Sequence, residues 1–320
     1  MLSRAAQAVY WMNRYIERAE NVARFIHVNL HLVLDVPVET GEQWEPLVRT
    51  TGDHLAFKEQ FGEATRENVI HFLTFHRDNP NSILSCLHRA RENARSVREI
   101  ISSEMWEQIN QFYLMVRAAS GERALRTPHD FFTEIKAASH LFSGIADATM
   151  SHGEAWHFGR LGGLLERADK TSRILDVKYF LLLPNLADVG TPFDQTQWSA
   201  LLKSASAFEM YLKRFGPILP DRVADFLILD REFPRAVHSC LIEAEKSLHT
   251  VTGSAPGTFQ NPAEQELGRL SAELNYARID EIIAKGLHEF LDSLQTRLNR
   301  VDDAIFDTFF ALRPLTGARL

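Results

Sequence analysis

Two glutamate–arginine dipeptides, Glu17-Arg18 and Glu166-Arg167, stand in the related segments ERAENVARFI (17–26) and ERADKTSRIL (166–175), offset by 149 residues. A guanidinium is a planar fork of donors that grips a carboxylate or phosphate, so arginines brought together in pairs can form an anion site. The following acids and arginines recur at the same offset. This makes Glu17, Arg18, Glu20, Arg24, Glu166, Arg167, Asp169 and Arg173 the candidate polar site. The same eight groups can instead satisfy one another as a buried ion network that fixes helix register, and spacing alone does not separate these roles. Arg89, Arg91 and Arg95 with Glu92 are secondary anion-binding candidates, against the alternative of solvated helix-face pairing.

Other chemistries are less well served. Glu154 and His157 form one ExxH pair of the type that di-iron bundles use twice, but a second is absent. Glu67 with His71 and Glu245 with His249 have the wrong spacing, and HExxH is missing. His27 and His31 lie one turn apart and, without cysteines nearby, read as helix-face histidines. No metal site is expected. Cys86 and His88 are two residues apart and point to different helix faces, which rules out a nucleophile–base dyad. The chain has no GxxxxGK loop and no glycine-rich strand-to-helix turn, so no nucleotide site of its own is expected.

These residues need long helices to position them. From Ala5, the apolar positions Val9, Met12, Ile16, Ala19, Ala23, Ile26, Leu30 and Val33 advance in steps of three and four, which predicts a coiled-coil-like seam. Arg18 falls on the flank with Trp11, Tyr15, Val22 and Phe25, so it should be partly buried. Pro37 and Gly41 should end this helix. In the second copy, Leu161, Leu165, Ala168 and Leu175 continue the seam; Gly162 and Gly163 replace Asn13 and Arg14, predicting a close helix approach, and Pro184 bounds the copy.

Further helices are predicted at 65–75, 81–119 with a break, 129–153, 194–215, 221–230, 234–252 and 263–310, with caps at Asn81, Thr127, Asp194 and Asn261. RARENAR (89–95) and AELNYAR (272–278) echo weakly and are not repeats. No strands are expected. The reading is an all-α, multi-helix bundle with an internal pseudo-repeat, one domain over 1–320 divisible at the Pro/Gly-rich 183–195 segment into sub-halves 1–186 and 194–320.

Composition sets the outer bounds. At 320 residues and 45% hydrophobic, the chain can bury a large core. A net charge of −7 gives no global attraction to nucleic acid. The start lacks a secretory pattern and no stretch approaches the roughly 20 apolar residues of a membrane span, so a cytoplasmic protein is expected. Cys86 and Cys240 read as reduced core thiols.

The segments MLSRAAQAVYWMNRYIERAENVAR (1–24), SILSCLHRARENARSVREIISSEMWEQIN (82–110) and EAWHFGRLGGLLERADKTSRILDVKY (154–179) closely resemble the bacterial alpha-E family, an all-helical domain named for its glutamate–arginine motif. Arg14, Arg18, Arg89, Arg160 and Arg167 are among the positions that fit its pattern. The resemblance implies a genomic neighbour, a circularly permuted ATP-grasp protein of the carboxylate–amine ligase type, sometimes with a transglutaminase-like protein. It thus implies a non-nucleotide-binding accessory subunit that docks the ligase or positions its substrate, with ATP and Mg on the partner and none here. Two alternatives stay open: a stand-alone enzyme acting on a peptide or amide through a Glu/Arg site, and a structural dimerisation module, which would make the chain a homo-oligomer.

Overall fold

The computed structural model describes residues 1–35, 44–119, 121–181 and 192–311. Among them lie sixteen α-helices and no strand. The first eight are α1 (Ser3–Asp35), α2 (Glu45–Thr51), α3 (His54–Phe61), α4 (Arg66–Thr74), α5 (Ile83–Ser96), α6 (Ser103–Ala118), α7 (Gly121–Arg126) and α8 (Pro128–Thr149). The second eight are α9 (Glu154–Leu181), α10 (Pro192–Ser204), α11 (Phe208–Phe215), α12 (Pro220–Leu229), α13 (Val237–Thr252), α14 (Pro262–Tyr276), α15 (Ile279–Lys285) and α16 (Leu287–Ile305), closed by a π-helical turn, Phe306–Phe310.

The two series correspond in order and length. α1 packs against α5 and α8 as α9 packs against α13 and α16, and α1 and α9 pack on each other at the centre. The predicted seam is the reason. Val9, Met12, Ile16, Ala19, Ala23 and Ile26 are at most 2% exposed, as are Leu161, Ala168 and Leu175. Between Ile16 and Leu30 nearly every side chain of α1 is covered, polar ones included. A helix buried all round must find partners for its charges inside the protein.

Several sequence expectations are corrected. α2 and α3 were not anticipated; they are short and end at Gly52 and Gly62, both at positive φ. Ser82, not Asn81, caps α5 by accepting from the Ser85 N–H at 3.2 Å. Thr127 makes no capping bond; its hydroxyl donates to the Arg123 carbonyl, and Pro128 opens α8. The helix expected over 194–215 breaks at Ser206, and that over 263–310 divides into α14, α15 and α16, with Gly286 at φ +104. Asn261 caps α14 as expected, 3.0 Å from the Glu264 N–H. Pro37, Gly41, Pro184 and the Val33 side chain lie outside the described residues, as does most of 183–195. None of the described helices is long and apolar enough to cross a membrane.

The close approach of α1 and α9 uses Gly159 and Gly162 rather than the expected Gly162 and Gly163. A Cβ at Gly162 would sit 2.4 Å from the Tyr10 carbonyl oxygen, whereas one at Gly163 would meet its nearest neighbour, Asn13 Cβ, at 4.0 Å. Overpacking against backbone costs about 1–3 kcal/mol, while removing a helical glycine gains up to about 1 kcal/mol. Urea unfolding should therefore show Gly162→Ala destabilised by that overpacking amount and Gly163→Ala unchanged or slightly stabilised.

Candidate functional site

The two dipeptides pair crosswise at the α1–α9 contact. Arg18 Nε donates to Glu166 Oε1 at 2.7 Å and its Nη2 to Oε2 at 2.9 Å. In the other direction, Arg167 Nε donates to Glu17 Oε1 at 3.1 Å and its Nη2 to Oε2 at 2.7 Å. Both are fork-on-fork pairs, the geometry in which a guanidinium binds a carboxylate most strongly. Helical spacing sets this up. Adjacent residues diverge by about 100°, so on each helix the glutamate and its neighbouring arginine reach different partners on the other.

A third cation bridges each cluster. Arg235, in the turn before α13, donates to Glu17 Oε1 at 3.0 Å and to Glu20 Oε2 at 2.5 Å, and Arg24 also donates to Glu20. Lys170 lies 3.6 Å from Glu166 and 3.1 Å from Asp169, which also accepts from Arg173 Nε at 2.9 Å. All eight candidate residues are thus drawn into two linked clusters. Arg14, outside the eight candidates, joins the Glu166 cluster. Its Nε donates to Glu166 Oε2 at 3.1 Å, and its far end pairs with Asp302 of α16, which also accepts from Tyr10.

Arg235 was missed although the sequence held a signal. PNSILSCL (80–87) and PRAVHSCL (234–241) share proline, serine, cysteine and leucine at matched positions. In both, the buried cysteine thiol faces the carbonyl of that proline, Cys86 to Pro80 at 3.7 Å and Cys240 to Pro234 at 3.4 Å. Residue 81 or 235 then reaches the central pair. Asn81 Oδ1 accepts from Arg18 Nη1 at 2.8 Å, while Arg235 donates to Glu17. No sequence signal pointed to Asp302.

Burial opposes ionisation of Glu17, but the charges of Arg167 and Arg235, with hydrogen bonds from Arg167 and Asn21, outweigh it and hold its carboxyl down to about 2. Glu166 has no solvent exposure; burial again opposes, and Arg18, Lys170 and Arg14 hold it well below the usual range. Burial pushes Arg24 down to about 9, aided by Arg235 and Arg167, and its buried Nε has no hydrogen-bond partner. Burial pushes the Cys86 thiol up to about 12 despite Arg18, and the His88 ring lies against Tyr113 at a 43° tilt, so neither supports nucleophilic chemistry.

A cavity of about 430 Å³ opens beside the Glu166 cluster. It is lined by Trp11, Arg14 and Arg18 of α1, by Asp169, Lys170 and Arg173 of α9, by Asp302 and Asn299 of α16, and by Thr51 of α2 with Gly52 and Asn81 from the turns. Four cations line it against two carboxylates, with Glu166 sealed beneath. Near Glu17 and Arg167, where Gly163 stands in place of Arg14, the cavity is about 150 Å³. The secondary candidates lie elsewhere. Arg89 and Arg95 are exposed, and Arg91 donates to Asn110 at 2.7 Å and to Glu92 at 3.0 Å while packing over Trp106 and Tyr113.

A buried carboxylate stripped of one partner destabilises by about 3–5 kcal/mol. Because the folded-state pKa of Glu17 is depressed, its stabilisation is complete above the unfolded value near 4.5 and is lost as pH falls towards about 2. Chemical denaturation across pH should show Glu17→Gln far less stable than wild type at neutral pH, with the gap closing between those two values. A double-mutant cycle of Glu17→Gln with Arg167→Gln should give a large coupling energy, whereas Arg95→Gln, on the surface, should stay within about 0.5 kcal/mol.

The sequence profile described as "a predicted alpha-helical domain with a conserved ER motif" matches residues 1–310. Among curated proteins, an uncharacterised protein of Mycobacterium bovis is 23% identical over 98% of this chain, and two from Mycobacterium tuberculosis strains are 23% and 22% identical over the same share. The chain spans 38% of the length of these relatives. No solved structure matches it. With its two Glu-Arg pairs crossed at the centre of a match that runs nearly end to end, this chain belongs to the Alpha-E family.

Proposed function

We propose that this chain is the non-nucleotide-binding helical subunit of an ATP-grasp type carboxylate–amine ligase system, and that the cavity beside Glu166 holds the carboxylate of an acidic or amino-acid substrate. The observation that carries the reading is the excess of positive charge on a cavity of small-molecule size, about 430 Å³, within the 300–1,000 Å³ common for such sites. Arg173 uses only its Nε on Asp169 among the described contacts, leaving its terminal fork to a ligand. Lys170 and Arg14 add charge from the neighbouring walls. Holding one reactant in place raises its effective concentration at the partner's reacting centre without covalent chemistry here. ATP and Mg belong to the partner in this reading, and a transglutaminase-like protein is a further candidate component.

A stand-alone enzyme using Glu17 or Glu166 as general base draws less support. Both carboxylates are covered and held ionised far below neutral pH by bidentate arginines, so neither takes up a proton readily.

Reconstitution with the neighbouring ATP-grasp protein tests the proposal. Adding this chain should raise amide formation over a panel of acids and amines. Arg173→Ala, at the cavity wall, should lower the urea midpoint, because Asp169 then keeps only Lys170, and in the folded variant should raise the KM for the acid about tenfold or more with kcat kept, consistent with loss of a charged hydrogen bond. Absence of association together with unchanged ligase turnover would remove the proposal.

A further inference from the structure

His27 and His31 lie one turn apart on α1, and alone they give no reason to expect a metal. The fold brings His129, the second residue of α8, beside them. Ring centroids are 4.9 Å apart for His27 and His31, 5.3 Å for His27 and His129, and 4.4 Å for His31 and His129. One ring nitrogen from each residue lies within 4.8 Å of the other two. We propose that His27, His31 and His129 form a binding site for a divalent transition metal of the zinc class, with a fourth position open to water or a ligand.

Three observations support this donor set. Tetrahedral zinc with Zn–N bonds of about 2.0–2.1 Å places its nitrogens roughly 3.3 Å apart, and side-chain rotation closes the remaining gap without moving a helix. The buried Nδ1 of His129 has no hydrogen-bond partner, and in the interior an unmet ring nitrogen is disfavoured unless something fills it. The cluster holds imidazoles and no carboxylate, which suits zinc, copper or nickel and not magnesium or calcium. Two of the ligands share one face of a rigid helix, and the third sits at the start of a helix packed on it.

The site also contains a competitor. Lys136, two turns along α8 from His129, places its Nζ 2.6 Å from His27 Nδ1. The ammonium thus occupies a ring nitrogen that a metal would take, and its flexible four-carbon stem lets it swing aside when a metal arrives. This yields a prediction that ordinary surface histidines would not share: removing Lys136 strengthens metal binding.

The test uses the full chain, stripped with chelator and titrated with Zn²⁺ by calorimetry, and with Co²⁺ by visible absorption, which reports a four-coordinate site directly. One equivalent should bind, with the absorption of a tetrahedral nitrogen–oxygen site. His31→Ala, at an exposed position, and His129→Gln should each weaken binding by more than about 100-fold, beyond the 10–100-fold effect of outer-shell partners. Lys136→Met should tighten it, and Zn²⁺ should raise the Tm of wild type but not of His31→Ala. No binding, equal binding in wild type and His31→Ala, or a tenfold loss in Lys136→Met would each overturn the proposal.

Discussion

Two carboxylates held in the interior, Glu17 and Glu166, constrain everything around them. Each accepts a bidentate pair of bonds from an arginine of the other central helix. Neither α1 nor α9 can rotate or slide by a turn without leaving an uncompensated charge in a region from which water is excluded. Hydrophobic side chains of equal volume would give comparable net stability in such a place. What the crossed pairs contribute is uniqueness of register, because an apolar seam with alanines at Ala19, Ala23 and Ala168 tolerates sliding and a fork-on-fork contact does not.

From that fixed centre the two series of helices diverge in chemistry. Matched positions carry Arg14 and Gly163, Asn81 and Arg235, Lys170 and Asn21. Around Glu166 the arginines and lysine face a cavity, with Asp302 closing its far side. Around Glu17 the bridging Arg235 turns inward to Glu20 and Asn21, both buried, and the charges satisfy one another. The same scaffold thus gives one tighter and one more open arrangement. It is the loss of symmetry, not the repeat, that accompanies the larger cavity.

Much of this was legible beforehand. The three–four spacing from Val9 to Leu30 announced a helix covered along its seam, and Arg18 on the aromatic flank is partly buried as its spacing predicts, 16% exposed at its side chain. The limits are equally specific. Asn81 looked like a cap because asparagine before a helix usually is one, yet its amide is occupied by Arg18 and Asp53, and Ser82 takes over. α2 and α3 escaped because helices of seven and eight residues make only about two turns, too few for the 3.6-residue repeat to stand out. Arg235 was readable only by aligning two cysteine segments whose apolar letters differ.

The amino-acid sequence by itself determined the helical class, the central pair of helices and the identity of the groups at their contact. Periodicity and repetition are local properties, and they survive in a linear string. Only the tertiary structure decided which glutamate meets which arginine, that Asp302 completes one cluster, and that His129 joins His27 and His31. Such meetings depend on how helices cross in space, and residues separated by a hundred positions or more carry no local mark of their partners.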